Sequence, residues 1–175
     1  LQAGARPIFA DIDKETYNVD PKKVAEAVTS KTKAIIPVHF AGHPCEMNEI
    51  MEIAEDHHLH VVEDAAHALG AEYHGSKIGT IGRLTCFSFY ATKTVTTGEG
   101  GAIATNDGKL ADRLRILRLH GMDRDAWKRY TEQGSWYYEV SECGFKYNMT
   151  DPQAAIGIHQ MKKIDGIIEQ KREYF

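Results

Sequence analysis

The chain has little cysteine, and what it has is scattered. Cys45, Cys86 and Cys143 stand far apart with no C-x-x-C pair, which argues against a disulfide framework or a zinc site and for a reducing, cytoplasmic setting. Long apolar runs are missing as well. No stretch approaches the roughly 18 residues that a membrane span needs, and none reads as a secretory signal. Basic charge is not in excess: 21 Lys and Arg against 25 Asp and Glu leave a net charge of −4. No cluster of Lys and Arg interleaves with aromatics, so nucleic acid is not an expected partner. Internal repeats, low-complexity segments and clear linkers are also lacking.

What is present is an ordinary globular composition. The 175 residues are 42% hydrophobic and 26% charged, enough chain for one domain with a substantial core.

Read in order, the chain alternates strand and helix signals. Pro7 to Ile12 reads as a short apolar strand. Asp20 and Pro21 form an N-cap and first-turn pair, and Val24, Ala27 and Val28 give the following helix an apolar face. Lys33 to Val38 is β-branched and reads as a buried strand, ending in the turn-rich His39 to Pro44. Met47, Ile50, Met51 and Ala54 fall at helical spacing, and Leu59 to Glu63 reads as the next buried strand. Two helices joining three apolar runs make a β-α-β-α-β pattern. That predicts an α/β protein with a mostly parallel central sheet flanked by helices.

Further on, Glu72 to Ile78 reads as a small hairpin around His74-Gly75-Ser76, and Thr85 to Tyr90 and Ala102 to Thr105 read as strands. Gly108 to Leu119 is an amphipathic helix whose Arg113, Arg115 and Arg118 form a solvated charged face. Gly121 to Phe145, with Trp127, Tyr130, Trp136, Tyr137 and Tyr138, has weak periodicity and reads as an extended excursion, its aromatics suited to a subunit interface. A last helix starts at Asp151-Pro152 and runs to Ile164.

The chemistry concentrates between His60 and Gly101. Asp64 follows one strand and Lys93 follows another, and in open α/β sheets catalytic groups gather just past the carboxyl ends of strands. A carboxylate for a pyridine nitrogen and a lysine for a Schiff base suit pyridoxal phosphate. On spacing alone the ordinary alternatives stand beside this: a helix N-cap for the Asp and a solvated charge for the Lys. His57, His58 and His60 match no H-x-x-x-H arrangement on a helix face, so no metal is expected. The glycines of Gly98-Glu99-Gly100-Gly101 fit neither dinucleotide nor P-loop spacing and read as a tight turn close to the cofactor.

The wording of this stretch adds more. V-V-E-D-A-A-H-A-L-G-A, I-G-T-I-G, C-F-S-F-Y-A-T-K and G-E-G-G-A-I-A-T-N-D, in that order, resemble the DegT/DnrJ/EryC1/StrS family of sugar aminotransferases, which are fold-type I enzymes dependent on pyridoxal 5'-phosphate. The resemblance covers nearly the whole chain. It implies that residues 1–175 are part of the family's large domain, with the N-terminal segment and the small C-terminal domain absent. It implies Lys93 as the catalytic, cofactor-linking lysine, Asp64 on the pyridine nitrogen, and His67 on the ring hydroxyl, where many members have Gln. Ala66 would pack against one ring face and Ser88 would bind the phosphate. The stretch Gly144 to Asp151 resembles the family's G-Y-K-Y-N-M-T-D, so Asn148 would serve the partner's phosphate in a homodimer with shared active sites.

The glycine-rich phosphate loop and the aromatic stacked on the other ring face lie upstream in the family, outside this sequence. The implied substrates are an amino acid, glutamate, and a keto-sugar on a nucleotide, with the Gly144 to Asp151 wording favouring UDP-linked 4-keto sugars. The family's dehydratase branch carries His where the lysine belongs, and Lys93 argues against it. A non-catalytic regulatory or structural relative would keep the fold without needing Lys93, Asp64 and Ser88 together.

Overall fold

The computed structural model describes residues 1–122 and 139–174. These form two compact units, one of Leu1–Thr105 with Pro152–Phe175 and the other of Asn106–Asp151. Of the aromatic excursion expected over Gly121 to Phe145, residues 123–138, with all five of its Trp and Tyr side chains, lie outside the described residues.

The first unit is built on a four-stranded sheet in the order β1-β2-β5-β6. β1 (Ala34–Ile35), β2 (His60–Asp64) and β5 (Leu84–Ser88) run parallel, with Ile35 opposite Val61 and Asp64 opposite Cys86. β6 (Gly101–Ala104) returns antiparallel along β5, with Cys86 opposite Ile103. The mixed, mostly parallel sheet expected from the strand–helix alternation is therefore present. A connection without a helix joins β5 to β6, and such a loop permits the antiparallel return.

α1 (Pro21–Ala27) begins where Asp20 accepts a hydrogen bond from the Lys22 amide, with Pro21 at the first helical position. α2 (Met47–Asp56) buries Met47, Ile50 and Ala54. These pack with Val24, Ile35, Cys45 and Val61 into the main core. Successive strand residues point to opposite faces, so Ile35, Pro37, His39, Val61, Glu63 and Thr85 turn to the helix-covered side and are buried. Ile36 (66% exposed) and Val38 (46%) turn the other way. The expected buried strand is thus buried on one face only, and its regular pairing covers just two residues, extended by the Val38–Asp64 bridge.

The hairpin is formed by β3 (Glu72–Tyr73) and β4 (Ser76–Lys77), turning through His74 and Gly75 in the left-handed region. Beneath it Ala65, Ala68 and Ile78 make a second small core. The expected strand at Pro7 to Ile12 does not form: only Ile12 bridges, to Val19, and Ile8 and Phe9 are exposed. The last helix is two, α4 (Asp151–Met161) and α5 (Ile164–Tyr174). Ile168 of α5 sits where a Cβ on Gly70 would fall, 2.3 Å from its Cδ1, so glycine lets the helix seat against the chain after β2.

In the second unit α3 (Gly108–Leu117) starts at Asp107, whose carboxylate accepts from the Lys109 and Leu110 amides. Arg115 pairs with Asp112 at 2.8 Å and Arg113 with Glu142 at 3.0 Å, so two of the three arginines expected on this exposed face are ion-paired.

Candidate active site at the strand ends

Asp64 is the last residue of β2 and half-buried. Its amide donates to the Pro37 carbonyl at 2.9 Å, and its own carbonyl accepts from the His39 amide at 3.0 Å. Its Oδ1 accepts from the Ala66 amide at 3.0 Å; among the described residues the other carboxylate oxygen takes no hydrogen bond. Ala66, half-buried, and His67, exposed, follow in the turn that Asp64 caps.

Ser88 ends the adjacent parallel strand β5. It lies two residues beyond Cys86, the register partner of Asp64, and so shares its face. Its Oγ accepts from the Tyr90 amide at 3.3 Å, which leaves the hydroxyl proton to donate. Lys93 follows in the turn after β5, its amide bonded to the Tyr90 carbonyl at 3.0 Å. Lys93 is half-buried, and among the described residues its amine has neither hydrogen bond nor ion pair.

The loop beyond Lys93 is braced from several sides. The Thr97 amide and the Thr96 hydroxyl both donate to the Phe89 carbonyl, at 3.0 and 3.1 Å. Gln153 of α4 donates to the Glu99 carbonyl at 3.0 Å, and Lys171 of α5 to the Thr94 hydroxyl at 3.2 Å. Gly101 is needed here, because a Cβ would fall 2.6 Å from the Phe87 carbonyl oxygen.

Two thiols stay protonated. Burial pushes Cys45 up to about 12. Burial, reinforced by the charges of Asp64 and Glu63, also raises Cys86.

The structure therefore brings Asp64, Ala66, His67, Ser88 and Lys93 to the carboxyl ends of two neighbouring parallel strands. Asn148 lies in the second unit, half-buried, its side-chain oxygen accepting from the Lys146 amine. Sequence reasoning passed over Glu63, His39 and Thr85, which form a buried hydrogen-bonded cluster directly behind Asp64. The available signal was a Glu at a strand position whose neighbours two residues away, Val61 and Ala65, are buried and apolar: a carboxylate there must find partners.

A mostly parallel sheet with an acid and an amine at adjacent strand ends is the arrangement of a fold-type I transferase domain. The chain belongs to the DegT/DnrJ/EryC1/StrS aminotransferase family, whose model matches residues 1–175. It is 64% identical to the uncharacterized protein MJ1066 of Methanocaldococcus jannaschii, over 97% of this chain and 44% of that one. It is 53% identical to the spore coat polysaccharide biosynthesis protein SpsC of Bacillus subtilis, over 99% of this chain and 44% of the other. GDP-perosamine synthase of Caulobacter vibrioides is 47% identical over 93% of this chain and 41% of its own.

Among solved structures, Spr1654 of Streptococcus pneumoniae superposes with a TM-score of 0.89 in its PMP form and 0.88 in its PLP form, both at 31% identity. These matches cover 98% of this chain and 48% and 47% of those chains. DesI, crystallised with its TDP-sugar product, superposes at 0.84 with 37% identity, over 98% of this chain and 41% of its own. The chain thus spans less than half the length of these relatives.

The donor set fits the group that those neighbours carry. Among the described residues, a carboxylate with one oxygen free, an amine without a partner and a hydroxyl with its proton free match a pyridinium nitrogen, an aldehyde carbon and a phosphate oxygen respectively.

Proposed function

We propose that residues 1–175 form part of the cofactor-binding large domain of a pyridoxal-phosphate aminotransferase. The enzyme moves an amino group from glutamate to a keto-sugar carried on a nucleotide, and it works as a cytoplasmic homodimer. The observation that carries this reading is the pair at the end of β2 and in the turn after β5: half-buried Asp64 and half-buried Lys93, where among the described residues one carboxylate oxygen and the amine take no hydrogen bond. The names of SpsC, GDP-perosamine synthase and DesI place sugars, two of them on nucleotides, among the compounds of close relatives. Those names carry GDP and TDP; the choice of a UDP-linked 4-keto sugar here rests on the wording of Gly144 to Asp151.

Bound at this site, pyridoxal phosphate supplies an electron-accepting ring that stabilises the charge left when the substrate carbon loses its proton. The Asp64 carboxylate would hold the ring nitrogen in its protonated form and so maintain that capacity. With the cofactor bound, the Lys93 amine would be its attachment point and would serve as the general acid–base for the substrate proton. The Ser88 hydroxyl donates to a phosphate oxygen, and His67 hydrogen-bonds the ring hydroxyl. Ala66 is small enough to lie flat against one ring face. Asn148 serves the phosphate of the neighbouring subunit.

The test is turnover. The full-length protein, loaded with cofactor, is incubated with glutamate and UDP-, GDP- or TDP-linked 4-keto sugars, and products are read by mass spectrometry. An amino-sugar nucleotide with matching 2-oxoglutarate is expected, from the UDP substrate most readily. A cofactor-loaded protein that aminates none of them overturns the reading.

A further inference from the structure

Glu63 and Asp64 are consecutive residues on opposite faces of β2. Asp64 faces the proposed site, and Glu63 points into the helix-covered interior with no exposed surface. Its carboxylate accepts three hydrogen bonds: from His39 Nε2 at 2.9 Å, from the Gly82 amide at 2.8 Å and from the Thr85 hydroxyl at 2.6 Å. The other ring nitrogen of His39, Nδ1, accepts from the Cys45 amide at 3.1 Å. Nδ1 therefore carries no proton, the ring is the neutral Nε2–H tautomer, and the negative charge resides on Glu63.

A buried charge of this kind is poor value as a source of stability, since well-packed apolar side chains usually do as well. What it does accomplish is geometric. The three donors come from the turn after β1, the loop before β5, and β5 itself. His39 grips the same dipeptide twice, its ring on the Glu63 carboxylate and its amide on the Asp64 carbonyl at 3.0 Å. On the β5 side the Ala65 amide is bonded to the Cys86 carbonyl at 2.9 Å. The strand end bearing Asp64 is thereby pinned to both neighbours at once.

We propose that Glu63, held by His39, Thr85 and Gly82, is a positioning residue that fixes Asp64 against the ring nitrogen of the cofactor. This rests on the cofactor reading given above. Functional groups need to be held to about 0.5 Å, and residues behind them supply that precision. Glu63 touches neither cofactor nor substrate; it acts through the backbone it shares with Asp64.

The experiment compares Thr85→Val, Thr85→Ser, Glu63→Gln and Ile50→Val in the full-length protein. Thr85→Val removes one donor while keeping shape. Thr85→Ser restores the hydroxyl. In Glu63→Gln the amide nitrogen meets the His39 Nε2 proton in one orientation and the Gly82 amide proton in the other, donor against donor in both. Ile50→Val destabilises the same core without touching the network and controls for stability.

Three quantities are read: the dissociation constant of pyridoxal phosphate for the apo protein, the pH midpoint of the bound cofactor's visible band, and the urea midpoint. Thr85→Val and Glu63→Gln are expected to weaken cofactor binding about tenfold and to move the band's pH midpoint. Thr85→Ser should restore both, and Ile50→Val should lower the urea midpoint alone. If Thr85→Val does not fold, Glu63→Gln decides. Wild-type affinity and an unmoved band in the folded variants overturn the positioning role while leaving the cofactor reading intact. A wild-type protein that binds no cofactor overturns both.

Discussion

The carbonyl oxygen of Glu142 occupies the space where Gly121 would carry a side chain, 1.7 Å from the Cβ position. Gly144 answers from the other side, its own Cβ position lying 2.2 Å from the Gly121 nitrogen. Around this contact the Phe145 amide donates to the Leu117 carbonyl at 2.6 Å, the His120 amide to the Phe145 carbonyl and the Tyr147 amide to the Arg118 carbonyl, both at 2.8 Å. The two glycines thus let the segment that carries Asn148 lie flush along the end of α3. Gly121→Ala meets backbone rather than a flexible side chain, and at φ +74 it adds left-handed strain. A loss of about 3 kcal/mol is expected, read by urea denaturation; a loss within experimental error would mean that this contact is easily opened.

Lys93 yields the most direct chemical test. Borohydride reduces a lysine–cofactor C=N bond to a stable amine, so treatment of the cofactor-loaded protein should leave the cofactor on the peptide containing Lys93. Lys93→Ala should show no such label and lose activity by about 10²–10⁴-fold. A label on Lys77, Lys109 or any other lysine would displace the assignment.

Part of this candidate site was legible in the sequence because Asp64 and Lys93 each follow a strand signal, where an apolar run stops on polar residues. Ser88 falls inside the expected strand Thr85 to Tyr90 and was implied by the family wording alone; β5 in fact ends on it. Other features depend on partners distant in sequence. The hydrophobic run at Pro7 to Ile12 looked like a strand, yet Phe9 is 92% exposed; propensity does not supply a neighbouring strand. α5 was missed because its sequence is largely polar, with Ile164, Ile167 and Ile168 as its narrow apolar stripe. The antiparallel return of β6 depends on the course of the connecting loop, which carries no periodicity of its own. The Glu63 cluster escaped notice because His39, Gly82 and Thr85 are separated from it by 24, 19 and 22 residues.

That cluster also sets a pH dependence. Burial pushes the Glu63 carboxyl up, but hydrogen bonds from His39, Thr85 and Gly82 favour its ionised form and leave it below its ordinary value of 4.5. A carboxyl whose folded value is depressed contributes stability that is fully present above the unfolded value and lost as pH falls through the folded one. Comparing wild type with Glu63→Gln isolates this contribution from the exposed Asp13 and Glu72, which are also lowered, by their hydrogen-bond partners. The gap in stability between the two proteins should be constant above about pH 5 and close progressively as pH drops below 4.5. Parallel stability curves across that range would show that Glu63 does not titrate with unfolding.

Asn148 offers the test of subunit sharing. In its own chain the Asn148 oxygen is engaged by the Lys146 amine, and among the described residues its side-chain nitrogen makes only a long 3.5 Å contact to the Met149 carbonyl. That nitrogen is thus a donor largely free for another acceptor. If it reaches the phosphate bound by a neighbouring subunit, Asn148→Ala and Lys93→Ala damage different halves of each shared site. Each homodimer should be nearly inactive. A dimer containing one chain of each kind holds one site with both defects and one with neither. Random reassortment of equal amounts makes half the dimers mixed, and each mixed dimer has one intact site of two, so mixing should recover about a quarter of wild-type activity. Recovery is measured after unfolding and refolding the two proteins together, with each refolded alone as control. Should the mixture show no more activity than the controls, Asn148 acts within its own subunit or not at all.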